Sequence, residues 1–249
     1  MAAGERGHHH GRKVFMHRVL DRCHRTLFAA LSLLGVRGQG RLLHWYFDWW
    51  HRRPDPWGLA VDDYEQFKYA TTLGQLPARP YRRILDVGCS EGAFTHRLAA
   101  TYPHADVTGA DISERALARA RTPVPGPGPA PRFVRLNIVT APPADRYDLV
   151  FCAELLYYLG RPRQLRRACA HLTAAVAPGG LLVLVHPWPE ARRFCAYLEA
   201  AADLRRVTEH VERGTGRPFA VSVYEAAATA GHGAADRLAR PGRQTGRGA

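Results

Sequence analysis

Ile84-Leu85-Asp86-Val87-Gly88-Cys89-Ser90-Glu91-Gly92, followed by Ala93-Phe94-Thr95-His96-Arg97-Leu98-Ala99, is a short apolar run that ends in an acid and then breaks into glycines. That pattern reads as a buried parallel strand, a tight turn and the start of a helix. Gly88 and Gly92 remove side chains where the backbone must turn through positive φ or lie close to a ligand, and the helix start near Ala93 aims free N–H groups at the same place. Such turns also occur in dinucleotide-binding folds and as plain turns, so the acids around this one carry the argument. Asp86 sits at the strand end, and Asp111 closes the next apolar run, Val107-Thr108-Gly109-Ala110-Asp111-Ile112. A carboxylate at the tip of the second strand, about 20 residues past the glycines, is placed to accept two hydrogen bonds from a ribose diol.

Asp86-Val-Gly-Cys-Ser-Glu-Gly92, with Thr108-Gly-Ala-Asp-Ile-Ser113 and Ala116-Leu117…Ala120-Arg121, resembles the first two motifs of the class I S-adenosylmethionine-dependent methyltransferases. It departs at the middle glycine, which is Ser90 here. A dinucleotide fold needs that position bare for the pyrophosphate, whereas S-adenosylmethionine has none and tolerates a small hydroxyl. The resemblance implies S-adenosyl-L-methionine as cofactor, held by Asp86, Gly88, Cys89, Ser90, Gly92, Asp111 and Ile112, by Asn137 and Ile138 after the third strand, and by Ala153 and Glu154 after the fourth. Asn137 stands where the family more often has Asp. The implied fold is α/β, a Rossmann-like seven-stranded methyltransferase sheet of five parallel strands plus a C-terminal antiparallel hairpin, here with added N-terminal helices.

At 249 residues the chain has room for one such domain and appendages. The formal charge of +13 sits mostly at the ends: residues 1–53 carry ten Lys/Arg against three Asp/Glu, 54–225 carry 21 against 18, and 226–249 carry four against one. A nearly balanced catalytic domain argues against the basic face of a tRNA or rRNA methyltransferase. Five scattered cysteines with no C-x-x-C pair predict reduced thiols, neither a disulfide framework nor a zinc site, and no Asp/Glu/Asn cluster marks a metal site. No apolar run is long enough to cross a bilayer and no leader follows Met1, so a cytoplasmic protein is expected.

Four stretches divide the chain. Residues 1–12 are Gly-, His- and Arg-rich and are expected to be a disordered basic tail. In 13–53, apolar residues recur at helical spacing from Val14 through Leu34 with arginines between, predicting an amphipathic helix that caps the domain or touches a membrane surface. Gly35 to Gly40 are expected to end it. The aromatic run Trp45-Tyr46-Phe47-Asp48-Trp49-Trp50 then reads mainly as packing for Trp45, Phe47 and Trp49. Residues 54–225 form the methyltransferase domain. Its first part, 54–78, is expected by resemblance to fold over the site as an acceptor lid, bringing Trp57, Tyr64, Lys68 and Tyr69. From 226 onward a disordered tail is expected.

Within that domain, Arg132–Asn137, Asp148–Ala153 and Leu181–Val185 read as strands three to five, and Val207–Glu212 with Phe219–Glu225 as the closing hairpin. Helices are expected over Ser113–Arg121 and Arg163–Ala177, with a stiff proline-rich loop at 122–131. Open α/β sheets hold ligands at the carboxyl edge of their strands. There Glu154, Tyr157 and His186 are candidate catalytic residues, with Tyr158 and Trp188 on the acceptor. His186 reads equally as a histidine hydrogen-bonded at a strand end.

Asp55-Pro-Trp57, Tyr64-Glu65, Lys68-Tyr69, the Gly-Cys-Ser-x-Gly loop and Glu154-Leu-Leu-Tyr-Tyr-Leu159 resemble the nodulation protein S family, N-methyltransferases acting on the free amine of a deacetylated chitooligosaccharide. The resemblance spans roughly residues 54–185 and departs after the fifth strand, where His186-Pro-Trp-Pro-Glu-Ala-Arg192 leads at once into a helix. It implies methyl transfer to a small-molecule acceptor, an amine of an amino sugar, oligosaccharide or natural-product intermediate. An O-methyltransferase of a secondary metabolite is one alternative. A non-catalytic scaffold acting through the basic N-terminus at a membrane or partner is another, and the intact Asp86, Gly88, Gly92 and Asp111 argue against it.

Overall fold

A computed structural model describes Thr26, Phe28, Ala30, residues 32–200 and residues 203–228. The expected tail at 1–12, most of the helix expected from Val14, and everything beyond 228 lie outside the described residues.

Strands β1 (Arg83–Val87), β2 (Asp106–Asp111), β3 (Arg132–Arg135), β4 (Tyr147–Ala153) and β5 (Val176–Pro187) pair in parallel, and the β6 (Leu204–Glu212) and β7 (Phe219–Ala226) hairpin completes the sheet through antiparallel pairing of β7 with β5. The seven strands run in the order β3-β2-β1-β4-β5-β7-β6. This is the sheet expected from the sequence. The order reverses between β1 and β4, so the crevice for a ligand opens beyond their carboxyl ends.

The continuous apolar run of β4 is explained by its place between β1 and β5. Val150 and Cys152 pack into one core with Leu165, Leu172 and Phe194 of helices α5 (Pro162–Ala175) and α6 (Ala191–Glu199). Leu149 and Phe151 face the other core, with Tyr69 of α2 (Asp63–Gly74) and Phe94 and Leu98 of α3 (Ala93–Thr101). Alternation along one strand thus feeds both layers, as a strand covered on both faces requires. Ser113 caps α4 (Glu114–Ala120), its hydroxyl accepting the Ala116 N–H at 3.1 Å. Residues 122–131 form neither helix nor strand.

Two expectations are corrected. A break does fall at Gly35, which takes φ of 70° after the turn Ser32–Leu34, but a new helix, α1 (Gly35–Trp50), starts there at once and runs through Gly38 and Gly40. Glycines cost helix propensity, but tertiary contacts outweigh it here. Gln39 is buried and donates to the Leu159 carbonyl at 3.1 Å, while a Cβ on Gly40 would stand 2.5 Å from the Asn137 amide nitrogen. Strand β5 likewise begins five residues early, through Pro178-Gly179-Gly180, because a register shift between Tyr147 and Leu149 of β4 absorbs the irregular backbone. The last strand also reaches Ala226, one residue into the expected tail.

Candidate active site

The turn after β1 folds back over the end of β2. Gly88 N–H and Cys89 N–H both donate to the Ala110 carbonyl, at 2.8 and 3.1 Å. Gly88 and Gly92 hold φ of 84° and 83°, and a Cβ on Gly88 would meet Leu155 at 2.8 Å, so both positions exclude a side chain. Asp111 is pinned by the backbone: its carboxylate accepts from Ser90 N–H at 2.9 Å and from Ser113 N–H at 2.8 Å. Burial pushes its pKa above the ordinary value, and the Ser113 and Ser90 amides pull it back. Beneath the turn, buried Asp86 accepts the Thr95 hydroxyl at 2.7 Å; burial pushes its pKa up to about 7 against that bond. The Cys89 thiol is buried and likewise pushed up, so this residue meets the site through its backbone.

Helix α1 lies across the same strand ends. His44 Nδ1–H donates to the Ile112 carbonyl at 3.0 Å, and Asp48 accepts the Ser113 hydroxyl at 2.5 Å and the Arg115 N–H at 3.3 Å. His51 follows. Its Nδ1 faces the Phe47 carbonyl at 2.9 Å and must donate there, which leaves Nε2 to accept the Ser90 hydroxyl at 2.9 Å. Glu91 ties the next turn down by accepting Asp55 N–H at 3.0 Å and pairing with Arg119 at 2.6 Å. The expected lid began at 54, whereas the chain before it also reaches the cofactor edge, His51 at Ser90 and His44 and Asp48 at Ile112 and Ser113. His44, Asp48 and His51 were missed in the sequence. Their spacing of four and then three residues, a polar stripe inside the aromatic run, is the signal that would have found them.

Trp57 sits against His51, Phe47 and Trp50 at ring distances of 4.9, 6.2 and 6.2 Å, and Phe47 against Tyr158 at 5.0 Å. Phe47 therefore packs as expected, but Trp45 and Trp49 do not; they project from the outer face of α1. Ile138 is buried in the first core and Ala153 packs on the second.

The ends of β4 and β5 carry the second half of the site. Glu154 follows β4 with φ 51° and pairs with Lys68 Nζ at 3.1 Å; Lys68 also pairs with Glu65 at 2.8 Å. The Glu154 side chain is 29 % exposed while that of Lys68 is buried, so the carboxylate keeps an open side at the strand edge. Burial raises the Glu154 pKa, opposed by Lys68, while burial of Lys68 is outweighed by the two carboxylates, which hold it charged. Burial, and after it the Glu154 charge, push the Tyr157 pKa well above its ordinary value. The Tyr64 ring takes Arg217 at 3.8 Å and Lys68 at 5.1 Å. Trp188 lies under Arg192 and Arg213, at 4.6 and 5.4 Å. Tyr69 stands apart, buried in the second core and stacked on Phe94 at 4.7 Å. His186 is buried, its Nε2 accepting the Leu156 N–H at 3.2 Å, and burial followed by the Lys68 charge lowers its pKa to about 3.

Asp55, Ser90 and Glu154 are the non-glycine residues with positive φ among those described, and all three border this crevice. Each is held by hydrogen bonds, which is how such a conformation, costing on the order of 1–3 kcal/mol, persists at a working site. The donor set suits a nucleoside with an amino-acid tail: a carboxylate accepts about four hydrogen bonds, and Asp111 uses two on the backbone, leaving two for a diol.

Residues 84–180 match the family model described as a methyltransferase domain. Nodulation protein S of Rhizobium tropici is 33% identical over 169 residues, which span 66% of this chain and 69% of that protein. Ubiquinone biosynthesis O-methyltransferase of Bordetella avium is 39% identical over 101 residues, 40% of each chain. Among solved structures, the N-methyltransferase NodS from Bradyrhizobium japonicum in complex with S-adenosyl-L-homocysteine superposes with a TM-score of 0.63 at 26% identity, covering 74% of this chain and 97% of that one. The turn that the sequence assigned to S-adenosylmethionine thus lies inside the matched domain and in a fold shared with a structure holding the demethylated cofactor, and the chain belongs to the nodulation protein S family of S-adenosylmethionine-dependent methyltransferases.

Proposed function

We propose that this methyltransferase acts on a primary amine of a small polar acceptor, an amino sugar or its oligosaccharide. The observation that carries the reading is Glu154, a carboxylate at the mouth of the strand edge, paired with Lys68 at 3.1 Å. S-adenosylmethionine supplies an electrophilic methyl on a sulfonium. This chain's residues have to hold the acceptor in line with it and leave the nitrogen lone pair free. An amine arrives mostly as ammonium, and Glu154, its pKa raised by burial, attracts that cation and takes its proton. Orientation does the rest; near-attack placement is worth about 7–11 kcal/mol in well-ordered systems.

When S-adenosylmethionine is bound, Asp111 would take the ribose diol, Gly88 would leave room for the amino-acid tail and Asn137 would stand on the adenine side, while buried Asp86 would hold the turn from beneath through Thr95. Tyr157, Tyr158 and Trp57 wall the acceptor side with rings on which the apolar face of a sugar can stack. His186 is no base in this scheme. Its Nε2 lone pair is spent on Leu156, and its contribution is to fix the backbone that carries Tyr157. Nodulation protein S relatives support the amine. Methylation of a phenol is the second reading, favoured by the ubiquinone-pathway relative and the same aromatic wall.

The test is turnover of purified protein with glucosamine, deacetylated chitooligosaccharides and a catechol, products being identified by mass spectrometry. Methylated amine is expected, at a rate rising with pH as the amine loses its proton. Methylation of the catechol alone would replace this reading with the second.

A further inference from the structure

The outer face of α1 is unlike the rest of the surface. Leu33, Leu34, Leu42, Trp45 and Trp49 are 63, 54, 38, 63 and 45 % exposed, and they make up most of the large exposed hydrophobics of the described residues. Leu42, Trp45 and Trp49 fall three and four residues apart, so they form one ridge along a helix about 24 Å long, and Leu33 and Leu34 stand exposed in the turn just before it. The opposite side of the same helix carries Gln39, His44, Asp48 and, just past its end, His51, all turned to the cofactor edge.

Charge lies beside the ridge. Arg37 and Arg41 are exposed on α1, and a groove between its start and that of α5 is lined by Leu33, Leu34, Val36, Arg37, Arg161, Arg163 and Arg167. None of these arginines has an acidic partner among the described residues, and α5 contains no acid at all. The single acid of α1, Asp48, is already bound to Ser113. Helix α1 spans too little and is too polar to cross a bilayer, and no helix of the described residues can. A helix with leucines and tryptophans on one side and arginines flanking them matches the chemistry of a bilayer interface: rings and leucines enter the acyl boundary, and guanidinium groups meet phosphates.

We propose that this face docks on an anionic phospholipid bilayer, with the Arg37–Arg161–Arg163–Arg167 groove taking headgroup phosphates and the Leu42–Trp49 ridge entering between them. A nucleic acid would use the arginines and stack on the tryptophans, but it has no use for exposed leucines set beside them. Because the other side of α1 holds Ser90 through His51 and Ser113 through Asp48, a bilayer that steadies α1 also steadies the cofactor turn. By linkage, cofactor then tightens membrane binding as much as membrane tightens cofactor binding.

The experiment is co-sedimentation of the full chain with phosphatidylcholine vesicles and with vesicles that also contain phosphatidylglycerol, read together with tryptophan emission. Binding to the anionic vesicles alone, with a blue shift, is expected. Arg161→Gln/Arg163→Gln/Arg167→Gln should weaken it on the order of a hundredfold, and more salt should weaken it further. Trp45→Ala should weaken it about tenfold while leaving the cofactor affinity without vesicles intact, which also shows that the variant is folded. Absence of binding to anionic vesicles overturns the proposal, as does binding that neither variant weakens. A concentration-dependent dimer lost in Trp45→Ala would assign the face to a second copy instead, and RNA binding lost in the arginine variant without any vesicle binding would assign it to RNA.

Discussion

Asp111 and Glu154 end neighbouring parts of the same sheet, yet they are held in opposite ways. Asp111 is fixed by two backbone amides, Ser90 and Ser113, both close to the motif that announces it. Glu154 is fixed by Lys68, 86 residues away. A carboxylate held by backbone can be recognised from spacing alone, because the turn geometry brings its partners with it. One held by a distant side chain is tunable: changing Lys68 or Glu65 changes its charge without touching the fold of the strand edge. The cofactor half is thus the generic half, and the acceptor half is where a member of this family can specialise.

The largest effect should come from breaking the tunable half. Glu154→Gln keeps the side-chain shape and leaves Lys68 its second carboxylate, Glu65, so the protein should fold and bind cofactor normally. Turnover of an amine acceptor should fall about a thousandfold, within the range for loss of a positioned acid or base. Cofactor affinity by calorimetry separates the two halves. If it falls together with turnover, Glu154 belongs to the cofactor site and the contrast with Asp111 collapses.

Asp86 sharpens the generic half through pH. Its folded pKa, pushed by burial to about 7, lies above the ordinary 3.8, so the folded state disfavours the ionised form. The sign follows: below the ordinary pKa there is no penalty, and stability of the cofactor-free protein falls as pH rises from about 4 to about 7, then levels. A shift of this size corresponds to a few kcal/mol. Denaturant melts across that range should show the slope in the wild type and lose most of it in Asp86→Asn. A wild-type curve that rises over the same interval would mean that Asp86 is ionised at ordinary cost.

Asp111→Ala should weaken S-adenosylmethionine binding on the order of a hundredfold, since it removes the carboxylate proposed for the ribose diol and leaves two amides without an acceptor. Turnover at saturating cofactor should change far less. This is the mirror image of Glu154→Gln, and the pair of variants tests the contrast directly.

How much of this could be read in the chain follows the same line. The Gly88–Gly92 turn, Asp111, the apolar β4 and the closing hairpin were legible because each depends on residues near it in sequence: periodicity, turn chemistry and a cap at Ser113. Helix α1 was not. Gly35, Gly38 and Gly40 predict a break, which falls at Gly35 with φ 70°; that a new helix starts there and runs through Gly38 and Gly40 depends on partners that come in from elsewhere, Asn137 beside Gly40 and Leu159 against Gln39. Trp45 and Trp49 read as core because aromatic density marks burial on average, whereas here the helix has one face on the cofactor edge and holds these two rings exposed on the other. His186 was a candidate for catalysis on its position at a strand end. Which of its nitrogens is spent, and on what, is settled by Leu156 N–H, a partner thirty residues away.

The smallest expected effect concerns the seam between the halves. His51 belongs to the chain that closes over the site, and Ser90 to the turn beneath it; the hydroxyl-to-imidazole bond is buried and joins the two. A single neutral hydrogen bond of this kind contributes about 1 kcal/mol, so His51→Ala should weaken cofactor binding roughly fivefold. Ser90→Ala should do the same. What distinguishes a coupling from two unrelated packing losses is the double variant. If the bond is the link, His51→Ala/Ser90→Ala should be little worse than either change alone, because the second substitution has nothing left to remove. Additive losses would mean that each residue acts by itself, and the closing segment would then be held on the turn by Glu91 and Arg119 rather than by this bond.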